Sequence, residues 1–363
     1  MALDALEDMR KEGIRIESWL YDTMVYSLCS AEEFESALDL MQRRTLDGDL
    51  RISGNVWYHL LDSASCALHY RATLFAFRAR VEPRYLNPSA GMCINILNTA
   101  ARHGDAYLAT SILRILGKRS GNPIQLHHYE ALLDTYIAAN DLGTALTLLT
   151  IMTAAGHPPT ELSTRPIYIY LKRSPNLPAN AILILKDLRE QDRQIPIQAI
   201  NVIMQASIHH RNLDSALNTY NRLHTIAPTA QPDTTTFNTL FRGCAQAARK
   251  DLAMFLASEM VALKIAPDAL TYDRLILVCL SSETSIDDAC RYLEEMKSFG
   301  WWPRDGTYMF LVRRACEEGD ERVWKLVDES RDRGVPWQRT RKVVGESWKG
   351  GVEEAERLLD RRR

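Results

Sequence analysis

The chain is poor in the features that would tie it to a membrane, an export route or a reaction. Among its 363 residues there is no run of about eighteen apolar side chains, so no segment is fit to cross a bilayer as a helix. Basic residues are not in excess: 44 Lys and Arg stand against 46 Asp and Glu, for a net charge of −2. Proteins that grip a phosphate backbone usually carry a basic surplus, so any such grip here requires cations segregated on one face. The seven cysteines include no C-x-x-C pair, which argues against a zinc or disulfide framework and fits a reducing compartment. The opening MALDALEDMRKEG carries Asp4, Glu7 and Asp8, the wrong chemistry for a secretory signal or an acid-poor transit peptide. Targeting information therefore lies elsewhere or has been removed.

Signatures of catalysis are also missing. There is no G-x-S-x-G elbow and no H-E-x-x-H zinc motif. Gly117-Lys118-Arg119-Ser120 imitates the end of a phosphate loop, but the glycine needed five residues earlier is Ile112 and the string follows a helical pattern. The adjacent pairs His127-His128 and His209-His210 would diverge by about 100° on a helix, which suits solvated or groove positions better than a shared metal. These residues predict a chain that is not an enzyme and has no cofactor, metal or small-molecule substrate.

What is present is a proline ladder. Pro88, Pro123, Pro158, Pro196, Pro232, Pro267, Pro303 and Pro336 follow one another at spacings of 35, 35, 38, 36, 35, 36 and 33 residues. Within the rung from Pro232 to Asp268, Phe237, Leu240, Phe241 and Cys244 recur at helical spacing, and Leu252, Phe255, Leu256 and Met260 do so after the break Ala248-Arg249-Lys250-Asp251. Each rung is thus a helical hairpin. One hairpin cannot bury its own apolar face, so copies must stack.

The same marks recur along the chain. Glycine precedes proline in Gly156-His157-Pro158, Gly300-Trp301-Trp302-Pro303 and Gly334-Val335-Pro336, a helix C-cap followed by a stop. Ala37-Leu38, Ala145-Leu146 and Ala216-Leu217 place a small residue in the second helix where two helices would approach most closely. Cys29, Cys244, Cys279 and Cys316 each fall seven or eight residues after an aromatic, one recurring slot for a small core residue. Before the ladder the rhythm is fainter, and Ala5 to Ile14 reads as the second helix of a repeat whose first helix is missing. The organisation expected is residues 1–15 as that helix, 16–87 as degenerate repeats, 88–337 as the regular array, and 338–363 as a polar, partly basic helical cap.

At this level the chain resembles the pentatricopeptide repeat family. The resemblance rests on the period near 35, on Thr236-Phe237-Asn238 and Thr271-Tyr272-Asp273 at the heads of first helices, on Ala-Leu in the second, and on the Pro-Asp closures. It spans roughly 16–337 and is strongest in the second half. It implies an all-α fold: a right-handed α-solenoid of about nine helix-turn-helix repeats that binds single-stranded RNA in its concave groove, one base per repeat. The residue after the first-helix aromatic and the last residue of the repeat share the reading, which assigns Asn201 with Asp233, Asn238 with Asp268, and Asp273 with Arg304. Asn with Asp implies uracil, so a short U-U preference follows; Asp273 with Arg304 departs from the pattern.

Elsewhere the corresponding places hold Glu130 with Pro159, Ile94 with Ile124, Trp57, and Met309 with Trp337, mostly apolar groups that cannot read a base edge. The wedge between bases would be Thr235 in one repeat and Leu270 in the next, with Gln198 before them. Some family members carry a C-terminal deaminase, for which the P-C-x-x-C half of the zinc motif is absent here. The family implies a mitochondrial setting, in transcript stability, processing or translation. The alternative is a protein-interaction scaffold, such as an assembly factor or ribosome-associated subunit, whose groove reads no bases.

Overall fold

The structure is a computed structural model, and it describes residues 8, 9, 11, 12, 14, 17–46, 52–118, 124–282, 285–351, 354, 355 and 357. Most of the segment expected to form a truncated first repeat, Pro123 of the ladder, Arg119-Ser120 of the mock phosphate loop and most of the tail beyond 351 lie outside the described residues. Among those described there is helix and no strand. The chain divides into two compact units, Met1–Ile167 and Tyr168–Arg363.

The first unit is a succession of helical pairs. They are α1 (Ser18–Ser30) with α2 (Phe34–Leu46), α3 (Gly54–Cys66) with α4 (Tyr70–Ala76), α5 (Ala90–His103) with α6 (Ala106–Gly117), and α7 (Leu126–Ala138) with α8 (Leu142–Ala154). Short polar side chains start them. Ser89 accepts the Met92 N–H, Asp105 the Leu108 N–H and Asp141 the Thr144 N–H, each supplying one of the acceptors that the free N–H groups of a helix N-terminus require. After α4 the backbone widens into a π-helical turn over Phe77–Val81, with Phe77 and Val81 buried.

Helix α9 (Glu161–Leu171) contains Pro166 in its interior, and the division between units falls between the next two residues, Ile167 and Tyr168. A proline there removes one backbone hydrogen bond of the helix. In the second unit, α10 (Leu177–Glu190) has Pro178 in its first turn, where no such bond is lost. Then come α11 (Ile197–His209) with α12 (Leu213–Asn221) and the short α13 (Leu223–Ile226), α14 (Thr234–Gln246) with α15 (Lys250–Ala262), α16 (Ala269–Ser281) with α17 (Asp287–Ser298), and α18 (Asp305–Glu318) with α19 (Val323–Asp332). Helix α20 (Trp337–Ser347) packs on α18, and beyond it the Lys349 N–H donates to the Cys316 carbonyl at 3.2 Å.

Packing follows the repeated small residues. Ala37, Ala145 and Ala216 are fully buried in second helices, as are their counterparts Ala109, Ala181, Ala253 and Ala289. First helices stack by the same device: a Cβ on Gly243 of α14 would collide with Ile208 Cδ1 and come within 2.8 Å of Leu213 Cδ1. Phe237, Leu240, Phe241 and Cys244 are buried as their spacing predicts. Phe255 is not. In α15 the buried stripe is Ala253, Leu256 and Met260, and Phe255 stands 67% exposed, about 100° around the helix from Leu256. The small Ala253 lets the neighbouring helix approach and so sets which face turns inward.

The glycines before the ladder prolines end second helices in the left-handed conformation, with φ of +82° at Gly156, +74° at Gly300 and +83° at Gly334. The cysteine slot is core. Cys29, Cys244, Cys279 and Cys316 are buried, and desolvation pushes their thiols up to about 11, 11, 11 and 12, so they pack as small neutral hydrophobes.

Candidate functional site

Three successive first helices of the second unit, α11, α14 and α16, lie side by side in the order of the chain. Each presents the same face in the same register: Gln198, Asn201 and Gln205 on α11; Thr235, Asn238 and Arg242 on α14; Leu270, Asp273 and Leu277 on α16. The ladder prolines set that register, because α11 starts directly after Pro196, and α14 and α16 start after the Asp that follows theirs.

Asp233 caps α14, its Oδ1 accepting the Thr236 N–H at 2.8 Å while its own N–H donates to Thr236 Oγ1 at 3.1 Å. The same Oδ1 reaches back one repeat and accepts from Asn201 Nδ2 at 2.9 Å. Thr236 Oγ1 lies 2.8 Å from Asn201 Oδ1 and 2.9 Å from Asp233 Oδ1, so its single proton is shared between two acceptors. The next repeat repeats the design. Asp268 accepts from the Thr271 N–H at 2.7 Å, from Thr271 Oγ1 at 2.8 Å and from Asn238 Nδ2 at 3.1 Å.

Capping and pairing are therefore one arrangement. A carboxylate placed by proline starts a helix and also orients the amide of the preceding repeat. Asn201 and Asn238 are only 3% and 6% exposed, so each amide is held in place by its surroundings. Asn238 differs in one respect: its Oδ1 is buried with no hydrogen-bond partner, whereas Asn201 Oδ1 faces Thr236.

On α16 the roles are exchanged. Asp273 Oδ2 accepts from Arg304 Nε at 3.0 Å and Nη2 at 2.6 Å, and Oδ1 accepts from the Arg304 N–H at 3.2 Å and Thr307 Oγ1 at 2.6 Å. The acid sits on the helix and the donor at the helix start, the reverse of the two repeats before it. Thr235 and Leu270 stand one turn before Asn238 and Asp273 on the same face; Thr235 is half-buried and Leu270 is 37% exposed. The structure thus brings together all three assigned pairs, with Thr235 and Leu270 beside them.

The threonine is the residue that sequence reasoning missed. Thr236, Thr271 and Thr307 each stand three residues after the last residue of the preceding repeat, and each binds the acid of its pair. A Pro-Asp followed by Thr at the third helical position is a legible cap signal.

In the first unit the equivalent places are filled differently. Ser163 donates to Glu130 Oε1 at 2.8 Å, Ile94 is half-buried, and Trp57 is buried with the Arg80 guanidinium 4.8 Å from its ring centre. The histidine pairs also need correction. His128 is buried, not solvated: its Nδ1 accepts the Gln125 N–H at 3.0 Å at the start of α7, and its ring lies 4.0 Å from that of His127. Burial, and then the neighbouring His127, lowers its pKa below the ordinary 6.5. His210 Nε2 donates to the Leu171 carbonyl at 3.2 Å, closing the C-terminus of α9.

Comparison with known proteins places these repeats. A family model described as "Pentatricopeptide repeat-containing protein" matches residues 90–223, and one described as "Pentacotripeptide-repeat region of PRORP" matches residues 192–356. A search of curated proteins finds no match. Among solved structures the chain is similar to the pentatricopeptide repeat protein PPR10 in complex with an 18-nt psaJ RNA element, at 16% identity and a TM-score of 0.48 over 99% of this chain. It is also similar to PPR10 from maize, at 17% identity and a TM-score of 0.41 over 98% of this chain. In both cases it spans 57% of the length of the solved chain.

Proposed function

The chain belongs to the pentatricopeptide repeat family, and from that premise we propose that it binds single-stranded RNA along the aligned faces of α11, α14 and α16. In this reading Asn201 and Asn238 contact consecutive bases, and Asp233 and Asp268 orient them. The observation that carries it is the pair of Asn-to-Asp hydrogen bonds, at 2.9 and 3.1 Å, in two adjacent repeats.

The chemistry favours uracil over cytosine and adenine. An amide held by one N–H still offers its other N–H as a donor and its oxygen as an acceptor. Uracil presents an imino N–H beside a carbonyl, which complements that edge. Cytosine and adenine place an acceptor where uracil has its imino proton, and so oppose acceptor to acceptor. The buried, unpartnered Oδ1 of Asn238 suits an imino donor, since an acceptor left unpaired when buried costs about 1–3 kcal/mol.

The proposal extends to a setting: the RNA is a mitochondrial transcript, and its binding acts in transcript stability, processing or translation. Family membership supports this extension, and fractionation of cells expressing the protein tests it.

Crosslinking in cells, with wild type and with Asn201→Ala plus Asn238→Ala, tests the binding itself. The expected result is a defined RNA, U-rich at the bound site, recovered with wild type and lost with the double variant. Wild type that crosslinks no RNA above background favours a protein-binding scaffold instead. A double variant that retains its RNA fully overturns the assignment of these two side chains.

A further inference from the structure

One repeat beyond the two amide pairs, the pattern is broken in a way that gathers positive charge. Asp273 stands where Asn201 and Asn238 stand, but Arg304 and Thr307 occupy both of its oxygens with four donors. With both oxygens so occupied, Asp273 has little left to offer a base.

Around this single carboxylate stand three guanidiniums. Arg274 adjoins Asp273 on α16, Arg242 projects one turn beyond Asn238 on α14, and Arg304 precedes α18. Burial first, then repulsion from Arg304 and from Arg242, pushes the Arg274 guanidinium down to about 10, with Asp273 acting in the opposite sense. Helices α14 and α16 pack directly on one another and Arg304 binds Asp273, the neighbour of Arg274, so the packing itself gathers the three cations. Arg242 Nη2 donates to the Gln205 carbonyl at 3.1 Å, yet the Nε atoms of both Arg242 and Arg274 are buried with no acceptor. No ion pair to a carboxylate is formed by Arg242 or Arg274 among the described residues. Arg304 is exposed and Arg242 and Arg274 are half-buried, so three cations stand against one acid at a surface that a further anion can reach, and the cluster is short of negative charge.

We propose that Arg242, Arg274 and Arg304 bind a backbone phosphodiester of the RNA strand, so that the repeat following the two amide pairs grips the chain of phosphates and does not read a base. This rests on the RNA-binding reading above and adds where the strand is anchored. Guanidinium groups match the oxygens of a phosphate with paired N–H donors, and one phosphodiester charge offsets the surplus. A strand whose bases meet Asn201 and Asn238 in order reaches the next repeat with its backbone, where this cluster lies.

The test uses the full chain and short RNAs centred on U-U, with affinity measured by fluorescence anisotropy over a salt series. In Arg242→Gln plus Arg274→Gln, binding at low salt weakens about tenfold or more, as expected for lost hydrogen bonds to a charged partner. The slope of log affinity against log salt becomes shallower by about 0.7 for each phosphate that the protein no longer neutralises. The preference for U-U over C-C stays as in wild type. A neutral methylphosphonate placed at successive linkages weakens wild type at one linkage near U-U, and that effect disappears in the double variant. Affinity is also the same for all four bases at the nucleotide that follows.

Arg274→Lys, which keeps the charge, keeps the wild-type slope, and circular dichroism of each variant guards against loss of fold. Wild type that binds U-U RNA while the double variant shows an unchanged slope overturns the arginine site and leaves the amide pairs standing. Base discrimination at the following nucleotide, or loss of the U-U preference in the double variant, also overturns it. Wild type that binds no RNA overturns both readings together.

Discussion

At the scale of single residues the second unit shows one side chain answering two needs. Asp233 and Asp268 are the cap that each first helix requires and also the fixed acceptor that turns an asparagine of the preceding repeat. A cap alone would be served as well by Ser or Asn; a full negative charge is needed to hold the amide by a charge-assisted bond. The core cysteines give a residue-scale consequence of burial. In the folded chain the thiols of Cys29, Cys244, Cys279 and Cys316 lose their protons only near pH 11 to 12, against an ordinary 9.0. Below pH 9 both folded and unfolded chains are protonated and these thiols leave stability independent of pH. Above it the unfolded chain releases protons first, and each thiol withdraws about 1.4 kcal/mol per pH unit until its folded value is reached. Stability measured by urea unfolding should therefore hold level up to about pH 9 and fall steeply toward pH 11, with buried tyrosines such as Tyr272 adding to the fall above pH 10. Cys316→Ala should flatten that fall, and a flat profile from pH 9 to 11 in wild type would remove desolvation as the dominant influence on these thiols.

At the scale of elements, the turn inside seven of the hairpins is built on one left-handed residue. Gly104 and Gly319 occupy it with φ of +68° and +71°, but Glu32, Leu68, Asn140, Arg211 and Ala248 occupy it elsewhere with φ between +52° and +62°. A Cβ in that conformation costs about 1–2 kcal/mol, from which the added freedom of glycine in the unfolded chain subtracts part of any gain. Ala248→Gly should then stabilise the protein by about 0.5–1 kcal/mol in chemical denaturation. Gly104→Ala should do the opposite and by more, because its Cβ would also stand 3.0 Å from Ala138 C and Ala139 N. Equal and small effects at both positions would show that these turns relax freely. The hairpins themselves were legible in the sequence, since proline, glycine and alanine act through local backbone geometry at fixed spacing. The left-handed slot was not, because five different side chains fill it. Phe255 was misplaced for a related reason: helical periodicity gives two candidate stripes, and the position of Ala253 against its neighbour decides between them.

At the scale of the molecule, a net charge of −2 describes the total and conceals the distribution. Arg242, Arg274 and Arg304 come from three places 32 and 30 residues apart in the chain, and only stacking at a fixed repeat length makes them neighbours. The three side-chain pairs, Asn201 with Asp233, Asn238 with Asp268 and Asp273 with Arg304, were legible because they follow that same repeat length. The arginine cluster was not, since it joins different positions of different repeats. Stacking also governs how damage spreads. In a repeat array each unit touches its neighbours alone, so stability is close to a sum of local and nearest-neighbour contributions. Phe241 is fully buried on α14, which packs between α11 and α16. Phe241→Ala should cost about 3–5 kcal/mol locally. In native-state hydrogen exchange, amides of α11, α14 and α16 should lose protection by a corresponding amount, while those of α3 to α6 keep theirs. The nearest-neighbour account requires that gradient. A loss of equal size in α3 to α6 would mean that the array unfolds as one cooperative body, and would exclude an account in which each repeat is stabilised by its immediate neighbours alone.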